Sequence, residues 1–373
     1  MRIAITGGMG FIGLALARRL LGDGHAVLLI DNLSPQIHGD LPLVDLPDGA
    51  EVSRTDLRDI HARPELLAGT DVVFHLAAET GTAQSMYRIR DYVGVNEMGT
   101  AALLEALATL DRRPARIVLA SSRSVYGEGA WIDPARPDVI LQPAPRTPEA
   151  LAAGLWDPTG PQGQPLQPVP TPESLPFAPG SVYAATKASQ ELLLRAAAPA
   201  LGIKPVIFRF QNVYGEGQSL RNPYTGIISI FFNRMRQGIE FPAYEDGCES
   251  RDFIHVQDIV EGLVRSMTAD LPDGVVMNLG AGHGTSVSEL VEQLLAAANC
   301  SVPVRITGEY RVGDIRHGFA DIAEARRLLG FEPQVSLADG LARFCTWAAS
   351  QPTYEDRLDA AMAELRARKL AAG

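Results

Sequence analysis

The sequence predicts an α/β chain built on a doubly wound parallel sheet, with a smaller, interleaved α/β lobe. Three observations carry this. A strand, a glycine turn, a helix and a second strand all fit within the first 31 residues, a unit that implies parallel strands joined by a right-handed crossover. Later apolar runs such as Ile117-Val118-Leu119-Ala120 are continuous rather than alternating, as strands covered on both faces are. Hydrophobic residues make up 46% and charged residues 21% of the 373, which suits a globular protein with a sizeable core.

Arg2–Thr6 is the first strand, rich in β-branched side chains. Phe11, Ile12, Leu14, Leu16, Ala17, Leu20 and Leu21 then repeat at helical spacing, and Gly22 and Gly24 close that helix. Ala26–Ile30 is the second strand and ends at Asp31. Further strands are expected at 72–76, 116–120 and 206–210, with helices over 96–110 and 183–198 between them. From about residue 215 the rhythm loosens into short strands and helices at 227–237, 286–298 and 322–329. A last helical segment runs over 354–370. The expected organisation is a dinucleotide-binding domain over 1–210, with a proline-rich insertion at about 131–179. A mainly substrate-binding lobe follows over 211–350, partly interleaved with the first, and then a C-terminal helix and tail over 351–373.

Lys and Arg number 33 against 44 Asp and Glu, a net charge of −11. That balance argues against nucleic acid or an anionic membrane as partner. The start, MRIAITGGMGFIG, has neither a long apolar region nor a cleavage site, and no run of 18 apolar residues occurs, so a cytoplasmic protein is expected. Cys248, Cys300 and Cys345 are scattered, without metal-ligand spacing, and read as buried, inert thiols in a reducing compartment. No metal site is expected.

Gly7, Gly10 and Gly13 fall in a G-x-x-G-x-x-G turn between the first strand and first helix. Such a turn lets the backbone approach a pyrophosphate, which rests on the free N–H groups of the helix N-terminus. Phe11 and Ile12 belong to the same contact. Asp31, 18 residues after Gly13, stands where a carboxylate accepts hydrogen bonds from an adenosine ribose, with Asn32 beside it. NAD is the cofactor this implies, in a Rossmann-type domain, since Asp31 repels the 2′-phosphate of NADP.

Tyr183 and Lys187 are four apart on a predicted helix and therefore share a face. A nearby ammonium, with a positive nicotinamide ring, moves a phenol toward use as a general base. Ala120-Ser121-Ser122-Arg123-Ser124-Val125-Tyr126-Gly127 ends a buried strand, where α/β sheets place ligands. For Ser121, ordinary strand-end hydrogen bonding is the alternative to a site role.

Other segments are distinctive together: Asp56-Leu57-Arg58-Asp59, Val73-Phe74-His75-Leu76-Ala77-Ala78, Val95-Asn96-Glu97-Met98-Gly99-Thr100 and Arg209-Phe210-Gln211-Asn212-Val213-Tyr214-Gly215. With the glycine turn and Tyr-x-x-x-Lys, they resemble the extended short-chain dehydrogenase/reductase family, among its NAD-dependent nucleotide-sugar epimerases and dehydratases. The resemblance runs from residue 3 to about 345. It implies cofactor contacts from Asp56, Leu57, Leu76, Ala77, Ala78, Asn96, Ser121 and Phe210, besides Tyr183 and Lys187. It implies a catalytic set of Ser122, Tyr183 and Lys187, with Ser122 orienting the substrate hydroxyl.

Dehydratases of the family carry Asp-Glu directly after that serine or threonine. This chain has Arg123-Ser124, so dehydration is not expected and reversible oxidation at a sugar C4 remains. The resemblance further implies substrate contacts from Ser122, Arg123, Ser124, Asn212, Asn222, Arg251 in Arg251-Asp252-Phe253-Ile254-His255-Val256, and Arg311 in Arg311-Val312-Gly313-Asp314. Arg316 is the weakest phosphate candidate, and each arginine alone is more often a surface charge. Tyr244 is expected at the base pocket, with core packing as the alternative; His75 and His255 are expected to be structural.

The segment 211–228 looks like the branch of dTDP-L-rhamnose 4-epimerases, which also carries a proline-rich insertion. It implies a nucleotide-diphosphate sugar as substrate and a homodimer through helices 96–110 and 183–198. A UDP-hexose or UDP-hexuronate epimerase, another epimerase or reductase of the family, and a catalytically idle NAD-binding sensor are the alternatives. Thirteen of the 26 prolines lie between Pro134 and Pro179, between the serine and the tyrosine of the catalytic set. That segment is expected to cover or border the sugar pocket, anchored by Trp131 and Trp156; a disordered tether is the alternative for its central part.

Overall fold

The computed structural model describes residues 1–39, 46–222 and 226–372. Seven parallel strands form one sheet. In spatial order they are Val275–Leu279, Lys204–Phe210, Arg116–Ser122, Val72–His75, Arg2–Thr6, Ala26–Asp31 and Glu51–Arg54. The chain runs outward from Arg2–Thr6 in one direction and then in the other. The crevice at the strands' C-terminal ends is therefore a topological switch point, where such sheets take ligands.

Both faces are covered. Helix Phe11–Gly22 and helix Val256–Ser266 close one face through Leu16, Leu20, Ile259 and Leu263. Helices Gly99–Ala108 and Val182–Ala200 close the other through Leu103, Leu107, Leu194 and Ala198. Phe74, mid-sheet and fully buried, shows the scale of this packing: its truncation to alanine costs about 3–5 kcal/mol.

The sequence boundaries shift in informative ways. The seventh strand comes from residues 275–279, so the chain returns to the first sheet well past residue 210. The helix expected from residue 96 begins at Ile89, passes through a π-helical stretch at Val93–Met98, and ends at Ala108. The last helix is shorter than expected, Leu358–Ala367, and is not a loose tail. Leu358, Met362 and Leu365 pack near Tyr87, Ile230 and Tyr244, and Ala371–Ala372 pairs antiparallel with Tyr310–Arg311.

The proline-rich insertion is ordered as a three-stranded antiparallel sheet of Arg136–Leu141, Trp131–Asp133 and Gln167–Pro168, with a short helix Pro148–Ala152 capped by Thr147. Trp131 is buried, donates from Nε1 to the Glu128 carbonyl at 2.9 Å, and lies 5.5 Å from the His317 ring. Trp156 packs on Tyr310. Both tryptophans anchor the insertion, and they fix it beside the second lobe. Cys345 is buried, whereas Cys248 and Cys300 are exposed, contrary to the expectation for all three. Among the described residues no helix is long and apolar enough to cross a membrane, and no cluster of His, Cys, Asp and Glu suits a metal ion.

Candidate active site

A cavity of about 490 Å³ opens at the switch point, and a second of about 170 Å³ adjoins it on the lobe side. The glycine turn floors the first. Gly7 has φ +68°, and a Cβ there would stand 2.7 Å from the Ala77 nitrogen, so only glycine lets the turn meet the Leu76–Ala77 strand end. A Cβ on Gly13 would lie 2.5 Å from the Gly7 carbonyl, so the third glycine seats the helix on the turn. Gly10 is the N-cap of helix Phe11–Gly22, with no side-chain cap and no acidic residue in the first turn. The N–H groups of that first turn face the cavity lined by Gly10, Phe11, Ile12 and Gly13.

Asp31 stands at the next strand end, accepting from Met9 N at 3.0 Å and Leu33 N at 2.9 Å, with capacity left for a diol. Asp56 caps the turn Leu57–Ala62 and is held well below the usual carboxylate range, chiefly by the Arg58 guanidinium. Asn32 donates to Asp56 at 3.0 Å, and both line the cavity with Leu57, Leu76, Ala77, Ala78 and Phe210. These groups fit NAD: an uncapped helix N-terminus behind a turn only glycine can make, and a carboxylate one strand away.

Asn96 departs from expectation. It is fully buried behind the cavity wall, accepting from Glu79 N at 2.8 Å and donating to the Glu79 carbonyl and to Thr186 Oγ1. It therefore ties the wall to the catalytic helix and contacts no ligand space. Ser121 lines the cavity, but its hydroxyl donates to Glu191, the strand-end alternative. His75 is structural: it is fully buried between Thr6 and Thr100, and burial pushes its pKa down to about 3. His255 pairs with Glu216 at 2.9 Å, also away from the cavity.

Strand Arg116–Ser122 and helix Val182–Ala200 bring Ser122, Tyr183 and Lys187 to the inner end of the first cavity. Ser122 Oγ accepts from Ser124 N at 3.2 Å and Ser124 Oγ at 2.9 Å. Burial raises the Tyr183 pKa, while its hydrogen bond with Ser122 and the charge of Arg123 pull it down. Lys187 Nζ lies 6.0 Å from the Tyr183 ring centroid and donates to the Ala120 carbonyl at 2.9 Å. Burial pushes Lys187 down to about 7, against the pull of Glu191. Arg123 thus adds a positive charge acting on the phenol, besides the Lys187 to which the sequence pointed.

Glu191, one more turn along, was not singled out. It is fully buried and takes the Arg209 guanidinium at 3.0 and 2.8 Å. Its spacing, four beyond Lys187 on the same helical face, was the signal available.

The second cavity is lined by Asn212, Tyr244, Glu245, Glu249, Arg251, Arg311 and Asp314 among others, and Asn222 and Ser124 line the first. Arg251 spends its guanidinium on the Ser250, Ile315 and Arg316 carbonyls and on Asp314 at 3.0 Å. Arg311 pairs with Asp314 at 2.6 Å and lies over the Tyr244 ring at 5.5 Å. Arg316 lines neither cavity and is paired with Asp157, Glu245 and Asp246. Glu249, also not singled out, is buried; burial raises it to about 7, and its Oε2 has no hydrogen-bond partner among the described residues. Pro223, Tyr224 and Thr225 of the particular segment lie outside the described residues. No described residue of 131–179 lines either cavity directly, but Arg146 of the insertion bonds Glu245 and the Asp314 carbonyl, both on the wall of the second cavity.

A dinucleotide cradle that runs into a serine and a tyrosine on its wall, with a buried lysine behind them, defines an enzyme of NAD-linked hydride chemistry. Residues 3–152 and 159–280 match the NAD dependent epimerase/dehydratase family, and the chain belongs to that family. Within it the protein is an NAD-dependent nucleotide-sugar epimerase. It is 37% identical to a dTDP-L-rhamnose 4-epimerase of Burkholderia thailandensis over 94% of this chain and 95% of that one. Among solved structures it resembles a UDP-glucose 4-epimerase from Thermotoga maritima with UDP-glucose (TM-score 0.76, 27% identity, 94% and 99% covered). It also resembles a UDP-glucuronic acid 4-epimerase from Bacillus cereus with UDP-glucuronic acid and NAD (TM-score 0.75, 26% identity, 94% and 99% covered).

Proposed function

We propose that this enzyme inverts C4 of a dTDP-6-deoxyhexose of the L-rhamnose/6-deoxy-L-talose type through a transient 4-keto sugar. The observation that carries the reaction type is the placing of Ser122, Tyr183 and Lys187 around one cavity, with Arg123-Ser124 in place of the dehydratases' carboxylates. The 37% identity to a dTDP-L-rhamnose 4-epimerase supports the sugar.

In this mechanism Tyr183 accepts the proton of the 4-hydroxyl, which Ser122 orients. Bound NAD supplies the hydride acceptor and donor. Lys187 holds the strand end at Ala120 and places its ammonium 6.0 Å from the Tyr183 ring centroid. The keto sugar turns over in the cavity, and Tyr183 returns its proton to the new hydroxyl. The residues lining the cradle, namely Gly7, Gly10, Gly13, Asp31 and Asp56, are the proposed cofactor contacts. Ser124, Asn212, Asn222, Tyr244, Arg251 and Arg311 are proposed to surround the nucleotide sugar.

A homodimer is proposed through the two long helices. Met98 is 62% exposed and Leu192 56% exposed on them, large apolar side chains with no cover in the single chain. The test is a panel of dTDP- and UDP-hexoses followed by chromatography of the nucleotide sugars. Conversion of dTDP-L-rhamnose, and not of UDP-glucose or UDP-glucuronate, is the expected result; the reverse preference would refute the assigned sugar.

A further inference from the structure

The second cavity has two kinds of wall. Arg251 and Arg311 stand together on Asp314, at 3.0 and 2.6 Å, and form a charged side. Arg251 spends its donors on internal carbonyls, whereas among the described residues Arg311 donates to Asp314 alone and keeps donors for a phosphate. Ile230, Phe231, Phe241 and Leu358 form an apolar side. Leu358 comes from the last helix, Leu358–Ala367, at the end of the chain. Two carboxylates pin the start of that helix. Arg234, on the helix that carries Ile230, donates to Asp356 at 2.6 Å and to Asp359 at 3.1 Å, on either side of Leu358. Leu358 is thereby buried in one cluster with Ile230 and Tyr244, which line the same cavity.

The segment also holds both lobes. Toward the first, Tyr87 Oη donates to Glu364 at 3.1 Å, and the Arg368 guanidinium lies 4.2 Å from the Tyr87 ring centroid. Ala83, the neighbour of Thr82, which lines both cavities, packs on the same cluster. Toward the second lobe, Ala371–Ala372 pairs antiparallel with Tyr310–Arg311, and Val312 N donates to the Leu370 carbonyl at 3.0 Å. Arg366 pairs with Glu309. The backbone that carries Arg311 is thus one strand of a ladder whose other strand is the end of the chain.

Resting on the dTDP-sugar reading above, we propose that residues 356–372 are a clasp that completes the nucleotide site: Leu358 packs on the nucleobase, and the terminal strand holds Arg311 toward the diphosphate. With the hexose at Tyr183, the nucleoside reaches the second cavity, where charge suits the diphosphate and the apolar side suits the base. An isobutyl group on that side gains most from the one apolar substituent that separates thymine from uracil, the 5-methyl. The clasp therefore contributes to the choice of dTDP. Closing it and binding the nucleotide favour one another, and the linkage is reciprocal.

The test uses NAD-loaded wild type, Leu358→Ala, Leu358→Met and a chain ending at Leu370. Each is titrated calorimetrically with dTDP and with dUDP, which differ by the thymine methyl alone. Wild type should prefer dTDP by about 4-fold, the worth of one buried methyl group. Leu358→Ala should bind dTDP about 10-fold more weakly and lose the preference, while Leu358→Met keeps most of both. NAD affinity should hold in all. The shortened chain should lose about 5-fold for dTDP and dUDP alike, because its defect lies at the phosphate. In wild type, amide hydrogen exchange over 358–372 should slow about 10-fold with saturating dTDP and not with NAD alone, the factor by which an opened clasp loses affinity. That readout needs no variant to fold. Unchanged dTDP affinity and preference in Leu358→Ala would refute the base contact, and unchanged affinity in the shortened chain would refute the hold on Arg311. Exchange indifferent to dTDP would overturn the clasp as a whole. A wild type that converts UDP-hexoses and not dTDP-L-rhamnose would instead refute the assigned sugar, and with it the thymine preference. Loss of UDP affinity in Leu358→Ala would then still support the clasp, so the two failures are distinct.

Discussion

Arg146 in the proline-rich insertion offers the sharpest test of what that insertion does. Its side chain is 3% exposed and donates to Glu245 at 2.8 and 2.9 Å, to Glu128 at 3.3 Å, and to the Trp156 and Asp314 carbonyls. Arg146→Met keeps much of the volume and removes every one of these bonds. Glu245 retains Arg316, but among the described residues Glu128 loses its one ion-pair partner, and burial already raises it. Removing one partner of a buried pair costs about 3–5 kcal/mol, and proton uptake by Glu128 limits the loss to the lower end. An unfolding entropy of about 2.1 cal/mol/K per residue then converts ~3 kcal/mol into a fall in Tm of about 4 °C. Glu245 and Asp314 line the second cavity, so dTDP affinity should fall about 5-fold or more, while NAD affinity holds. Arg146→Lys should recover little, because an ammonium cannot reproduce the fork. Differential scanning fluorimetry and calorimetric titration read both quantities. A Tm within 1 °C of wild type together with unchanged dTDP affinity would sink the argument that the insertion braces the nucleotide side.

Tyr183→Phe should lower turnover by about 10³-fold or more and leave NAD affinity near wild type, measured by a coupled assay and by titration; substantial residual turnover would remove Tyr183 as base. Asp31→Ala should weaken NAD by about 10–100-fold, the value of hydrogen bonds to a charged acceptor, and unchanged affinity would count against the ribose contact. Glu249 carries a pH signature. Its native pKa of about 7 lies above its unfolded value, so between about pH 4.5 and 7 the unfolded chain holds fewer protons and stability falls as pH rises. Glu249→Gln should therefore raise Tm above pH 7 and leave it nearly unchanged at pH 4.5. The same variant should weaken nucleotide binding; a Tm difference independent of pH would disprove the buried, neutral carboxyl.

The parts of the site visible in the sequence are those whose geometry is local. The glycine turn, Asp31 at the next strand end, and Tyr183 with Lys187 one helical turn apart are all set by short-range backbone rules, and the structure places them around one cavity. What sequence could not supply is which partner captures each buried charge. Arg316 and Arg251 look alike in sequence, yet Asp157 and Asp246 take the first and four internal acceptors take the second. Asn96 fell on a π-helical stretch that turns it into the wall. The insertion's contacts were hidden for a related reason: chain position between Ser122 and Tyr183 fixes where a loop starts and ends, and says nothing about where Arg146 finds its carboxylates.

The distribution of those charges explains more than their number. Buried ion pairs add little net stability over apolar packing, so clusters such as Arg209–Glu191, Arg146–Glu245–Arg316 and Arg251–Asp314–Arg311 need another reason to sit around the cavities. At Lys187 the reason is visible. Glu191 is its nearest acid on the helix, and an unpaired Glu191 would hold the ammonium fully charged. Arg209 takes both Glu191 oxygens, and Ser121 donates to one of them as well, so the carboxylate is held in place beside the ammonium. Burial prevails over that pull and brings Lys187 down to about 7. The Arg209–Glu191 pair thus fixes beside Lys187 the carboxylate whose charge opposes that burial, which gives the pair a place at the site that stability alone would not.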